Sequence, residues 1–170
     1  MRRGLAAVLV LSLLAVLPAA GAGLSDMKTG GAASLLTREF TDLEGDRHRL
    51  SRWRGKVLII NFWAGWCGPC QFEIPHLKRW QSRYGKAGLQ VVGIGVDERT
   101  RLKNVARSLE IDYPQMWLSP AEGRKLLAEL GNRDMAIPFT IVIDRAGKIA
   151  LSHNGALGEE DFEFSIKPLL

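Results

Sequence analysis

A chain of 170 residues with 46% hydrophobic residues is long enough to bury the core of one domain without a framework of crosslinks. Its formal net charge of +5 falls to about +3 without Arg2 and Arg3, and its basic residues are interspersed with acids as on an ordinary solvated surface, which excludes nucleic-acid binding as the expected role. The only two cysteines, Cys67 and Cys70, lack a second pair, and His48, His76 and His153 show no ligand spacing, so neither a metal centre nor a cofactor is expected.

Met1-Arg2-Arg3 is a basic start, Leu5 to Leu17 an apolar run of 13 residues, and Pro18-Ala19-Ala20-Gly21-Ala22 a small-residue segment suited to cleavage after Ala20 or Ala22. The run is short of the about 20 residues that span a bilayer, so residues 1–22 read as a signal peptide, with an uncleaved anchor as the alternative. No cysteine follows the run, which argues against a lipid-modified N-terminus. Export would place the domain in the periplasm or on the outer face of the cytoplasmic membrane, where a lone cysteine pair is normally a structural disulfide. Residues 23–34 read as a flexible leader, and residues 35–170 as the folded domain.

The segments 38–43 and 47–50 alternate around Glu44-Gly45-Asp46 and predict a small β-hairpin. Val57 to Trp63 is apolar almost throughout, as in a central strand covered on both faces. A helix with Phe72, Leu77, Trp80 and Tyr84 on its apolar face follows, Pro69 at a permitted first-turn position and Pro75 inside as a kink, and ends near Gly85. Leu89 to Val96 is a second buried strand, Thr100 to Leu109 has helical spacing, and Pro114 to Leu118 suits a short strand. Ser119-Pro120 caps a helix that Gly131 ends. Phe139 to Ile143 and Lys148 to His153 form a hairpin, and Glu159 to Leu170 a weakly patterned closing helix. The order ββ, βαβαβα, ββα predicts a mixed sheet with helices on both faces.

The chemistry gathers at Asn61-Phe62-Trp63-Ala64-Gly65-Trp66-Cys67-Gly68-Pro69-Cys70. A thiolate is stabilised by the positive end and unpaired N–H groups of a helix N-terminus, where Cys67 falls; Cys70, one turn on, can close a disulfide with it. That spacing makes Cys67 the attacking thiol and Cys70 the resolving one. Glu73 lies three residues further on the same helical side, either as a solvated glutamate or as a proton acceptor for Cys70. Ile137-Pro138 stands at the entrance of a strand, either as a loop proline or as a cis peptide that exposes backbone to a substrate.

Phe62-Trp63-Ala64, then Trp66-Cys67-Gly68-Pro69-Cys70, with Glu73-x-Pro75 and Ile137-Pro138, resemble the thioredoxin fold, specifically the exported TlpA/ResA-like thiol-disulfide oxidoreductases that include the cytochrome c maturation reductants. The resemblance extends over residues 36–168, with an N-terminal hairpin ahead of the core and an insertion from Asp97 to Asp134. It implies an α/β thioredoxin-like fold, cis-proline at Pro138, and Glu73 as the buried active-site glutamate. Gly68, Pro69 and Pro75 are then structural, as is Asn61, which stands where cytosolic thioredoxins carry a buried aspartate. Ala136 and Phe139 depart from the pattern, standing where glycine and threonine are commoner; Trp66, Ile137 and Phe139 are candidates for an apolar docking rim, with Phe139 equally suited to the core.

The leading reading is a monomeric disulfide reductase for apocytochrome c or other envelope proteins, recharged by a membrane-embedded thiol donor. Gly68-Pro69 between the cysteines resembles reducing thioredoxins. A net oxidant, a thiol reductant of copper sites and a non-catalytic binding module are the alternatives. The last is weakened because so small a disulfide loop stabilises little.

Overall fold

The computed structural model describes residues 31–170. The signal peptide expected over residues 1–22 and the leader up to residue 30 lie outside the described residues. Residues 31–34, read from sequence as the end of that leader, instead open a helix, α1 (31–37), because Ala32, Leu35 and Leu36 fall on one helical face and are buried.

The hairpin is β1 (Glu39–Asp42) and β2 (Arg47–Arg49), followed by a 3-10 turn at Leu50–Trp53. Strand β3 (Val57–Trp63) is buried at every residue, helix α2 runs unbroken from Gly68 to Tyr84 with Pro75 inside it, and β4 (Leu89–Val96) is again wholly buried. The insertion then supplies α3 (Arg99–Ser108), β5 (Gln115–Leu118) and α4 (Pro120–Glu129). Ser119 caps α4 reciprocally with Glu122: each side chain accepts from the other residue's backbone N–H. Strands β6 (Phe139–Ile143) and β7 (Ile149–Asn154) complete the sheet.

Seven strands form one mixed sheet in the order β2-β1-β5-β4-β3-β6-β7, with β3, β4 and β5 parallel and the remaining pairs antiparallel. The thioredoxin-like architecture is thus the one the sequence predicts, with one addition. The N-terminal hairpin joins the sheet through the insertion, β1 pairing with β5 at Thr41–Trp117 and Asp42–Met116.

Alternation along the strands separates two cores. Leu58, Ile60 and Phe62 of β3 face α1 and α4 together with Val92, Ile94 and Val96 of β4. Val57 and Ile59 face α2 and the C-terminal segment, while Trp63, at the end of the same strand, packs with Cys67, Cys70, Ile74 and Leu102. The C-terminal segment is less regular than one closing helix: a turn at Glu159–Asp161 (α5), a wide π-type turn at Phe162–Ile166 and a 3-10 turn at Lys167–Leu169. The wide turn lets Phe162 and Ile166 both reach the core, with Phe162 stacked on Trp80 at 4.5 Å, and Pro168 removes a helical N–H beyond it.

Helix α4 lies so close to β4 that a Cβ on Gly123 would sit 2.1 Å from Cγ1 of Val96, a stiff β-branched side chain. Gly123→Ala should therefore destabilise the domain by about 1–3 kcal/mol through overpacking, measured as a lowered urea midpoint at unchanged m-value.

Candidate active site

The parallel strands deliver the site at their C-terminal ends. Beyond Trp63 the chain turns through Ala64-Gly65-Trp66, closed by Cys67 N–H donating to the Ala64 carbonyl at 3.1 Å. Cys67 is the N-cap of α2, its Sγ accepting from the Cys70 N–H at 3.3 Å, and Gly68 and Pro69 form the exposed first turn. Cys67 and Cys70 are joined in a disulfide. Both are buried, at 3% and 0% exposure, while Trp66 beside them is 65% exposed.

The peptide Ile137-Pro138 is cis, and the Ile137 carbonyl oxygen lies 3.8 Å from Cys67 Sγ, so the fold brings together two segments 70 residues apart. Ile137 is half-buried and touches the cluster containing both cysteines. Phe139 does not share that position. It is 2% exposed and packs against Phe62, ring centroids 5.9 Å apart, on the face covered by α1 and α4. The docking role considered for Phe139 is therefore corrected to a core role. Antiparallel pairing of Phe139 with Phe62 fixes its side chain on the sheet face away from α2.

Glu73 is buried at 1% exposure, not solvated. Its Oε1 accepts from Asn61 Nδ2 at 2.7 Å and its Oε2 from the Leu157 N–H at 2.8 Å. Burial raises its pKa to about 7 against the opposing pull of these two donors. Asn61 also donates to Thr140 Oγ1 at 3.1 Å, and its own Oδ1 is buried without a partner among the described residues. Glu73 thus ties β3, α2 and the loop after β7 together behind the dithiol.

Several residues that frame the site carried no motif. Asp97, 4% exposed at the end of β4, accepts the Gly65 N–H at 3.1 Å, and Gln71 Nε2 donates to the Gly65 carbonyl at 2.8 Å, so both backbone groups of Gly65 are held. Asn132 grips Ala136 from both sides, donating to its carbonyl at 2.7 Å and accepting its N–H at 3.2 Å, ahead of the cis peptide. The signal available for Asp97 was its place just outside the carboxyl end of a central parallel strand, where α/β sheets carry their sites. Met135, in the same loop as Ala136, is 43% exposed, and Phe72 on α2 is 75% exposed.

A groove of about 830 Å³ lies instead beside the hairpin, lined by His48, Arg52, Trp53, Arg107, Tyr113 and Gln115 among others, and neither cysteine lines it. A dithiol that meets a protein disulfide at the surface needs no enclosed pocket. The arrangement can form and break a disulfide at one edge of the sheet, next to a backbone carbonyl and ahead of a buried carboxylate that titrates near neutrality.

A family model described as the AhpC/TSA family matches residues 32–152. The chain is similar to the thiol-disulfide oxidoreductase ResA of Geobacillus kaustophilus, with 31% identity over 147 residues, covering 83% of this chain and 82% of that protein. It is 27% identical over 130 residues to ResA of Bacillus thuringiensis subsp. konkukian, covering 76% and 72%. Among solved structures it is similar to a secreted thiol-disulfide isomerase from Corynebacterium glutamicum, with TM-score 0.70, 27% identity, and 79% and 84% of the two chains covered. A thiol:disulfide interchange protein of the thioredoxin family from Chlorobium tepidum gives TM-score 0.67 and 29% identity, over 78% and 92%. The disulfide at the first turn of α2 and these likenesses agree: the chain belongs to the AhpC/TSA family, among its ResA-like thiol-disulfide oxidoreductases of thioredoxin fold.

Proposed function

We propose that the chain is an exported disulfide reductase of the cell envelope, acting on apocytochrome c or other proteins that hold a disulfide. The observation that carries the reading is the placement of Cys67 at the N-cap of α2 beside the Ile137 carbonyl, with Cys70 one turn deeper. Export is supported by the basic start and apolar run of residues 1–22, and by the description of one similar protein as secreted. Residues 1–22 are proposed as the signal peptide and 31–170 as one folded unit.

In this reading the Cys67 thiolate attacks a substrate sulfur, forming a mixed disulfide and releasing the other substrate sulfur as a thiolate. The Cys70 thiolate then attacks Cys67 Sγ, closing the internal disulfide and releasing the second substrate thiol. Two electrons pass to the substrate, and the spent disulfide is returned to the dithiol by a second, membrane-embedded dithiol donor. Trp66, Ile137 and Pro138 form the docking edge. Glu73 takes the proton of Cys70 before the second step; a group titrating at about 7 is suited to accept and return a proton at neutral pH. The reductive direction rests on Gly68-Pro69 between the cysteines.

Insulin reduction driven by dithiothreitol should be lost in Cys67→Ser, whereas Cys70→Ser should accumulate a mixed disulfide with substrate on non-reducing gels; catalysis that survives Cys67→Ser overturns its assignment as nucleophile. Equilibration with glutathione should give a reduction potential near the thioredoxin value of about -270 mV, and a value near about -120 mV would identify a net oxidant.

For Glu73 the sign of the pH dependence follows from its raised pKa. Below about 4.5 the group is protonated in both the folded and unfolded chain; between 4.5 and about 7 only the folded chain keeps the proton, so its contribution to stability is lost as pH rises through that window. The full loss corresponds to about 3 kcal/mol. Urea unfolding of Glu73→Gln should show a flatter stability profile than wild type between pH 4.5 and 7.5, and the limb near pH 7 in the rate of mixed-disulfide resolution should disappear. Identical profiles for the two proteins would remove Glu73 from the proton path.

A further inference from the structure

We infer that Gln115 is a positioning residue for the redox pair: its side-chain amide reaches from β5 across β4 to fix the Trp63 indole against Cys67 and Cys70, and thereby biases the balance between disulfide and dithiol. The inference rests on the reading of Cys67–Cys70 as a redox couple.

The geometry is unusual for a sheet. Gln115 is paired with Gly93 of β4, and Gly93 in turn with Asn61 of β3. Gln115 Oε1 nonetheless accepts from Trp63 Nε1 at 2.9 Å, although Trp63 belongs to the strand beyond. Neighbouring strands lie about 4.8 Å apart, so the Gln115 amide extends over β4 and the Trp63 indole reaches back to meet it, the two side chains together bridging two strand spacings over the sheet face. Only the missing side chain at Gly93 leaves room for it. A Cβ there would lie 2.2 Å from Gln115 Oε1 and 2.6 Å from its Nε2. The other end of the amide is held as well, Nε2 donating to the Tyr113 carbonyl at 3.3 Å.

Trp63 is 1% exposed and shares its cluster with both cysteines, Ile74 and Leu102. A buried indole N–H needs an acceptor, and Gln115 supplies it; this fixes the ring about its own axis. Reduction breaks the bond between the sulfurs, adding two electrons and two protons, and the separate thiols need more room than the bonded pair. A ring locked beside the pair therefore favours the disulfide, which makes the dithiol a better electron donor. The insertion strand β5 takes part in the redox function through this one amide.

The full chain equilibrated with glutathione buffers tests the inference. Gln115→Met, which keeps the volume but removes the acceptor, and Gly93→Ala, which displaces the amide from the other side, should each shift the equilibrium toward the dithiol by roughly threefold or more, the scale of one buried hydrogen bond. The double variant should shift no further than the larger single change, because both act on the same contact. In both variants the Trp63 indole N–H should lose its protection from hydrogen exchange. Val92→Ala, a cavity in the core on the opposite sheet face, should lower stability without moving the equilibrium. If Gly93→Ala does not fold, Gln115→Asn, one methylene too short to reach Trp63, takes its place. Equilibria equal to wild type in the Gln115 variants, a shift toward the disulfide, or an equal shift in Val92→Ala would each overturn the inference. A wild-type chain that does not exchange with glutathione would instead overturn the redox reading beneath it.

Discussion

Because Val57–Trp63 is buried along its whole length, β3 must be paired on both edges and covered on both faces, and these two requirements determine where the chemistry can stand. Parallel β4 on one side and antiparallel β6 on the other satisfy its backbone; α1 and α4 cover one face and α2 the other. Each buried aliphatic side chain of such a strand contributes about 1.5–3 kcal/mol, so the strand cannot shift without large loss. Its C-terminal end is consequently a fixed point in space. The turn from Trp63 to Cys67 starts from that point, and β6, paired residue by residue with β3, brings Ile137-Pro138 to the same edge.

Two sets of polar groups on the α2 side of the sheet stand behind the cysteine turn. Asn61, Thr140 and Glu73 form one buried set, and Trp63 with Gln115 another. In an apolar interior such contacts are strong when paired and destabilising when not, which gives them directional authority that aliphatic packing lacks. The raised pKa of Glu73 is one expression of this. Burial makes its carboxylate unfavourable as an ion, against the pull of the Asn61 amide and the Leu157 N–H.

The sequence made the architecture legible wherever an apolar run or a cap stood alone. Val57 to Trp63, Leu89 to Val96, Ser119-Pro120 and the Cys67–Cys70 turn were all readable in this way. Pairings between distant strands left no local mark, so the union of β1 with β5 was not readable. Residues 31–34 have the Gly, Ala and Ser composition of a linker, although Ala32, Leu35 and Leu36 have the spacing of one helical face. At the site, motif spacing singles out Cys67, Cys70 and Glu73, but the side on which Phe139 lies depends on its register with Phe62. Asp97, Asn132 and Gln115 are polar residues at strand ends or in loops, and in sequence such residues look solvated; only the tertiary fold shows them gripping Gly65, Ala136 and Trp63.

The hairpin ahead of the core has a consequence for the protein as a solute. Without it, β5 would present an open row of backbone donors and acceptors at the sheet margin, a template for joining another molecule. Strand β1 covers that row, and the sheet then ends in β2, three residues long, carrying the exposed Arg47 and Arg49, both paired with Glu39. A short, charged margin of this kind resists edge-to-edge association. The hairpin thereby blunts this margin of the sheet, well away from the end of the strands where the cysteine turn stands.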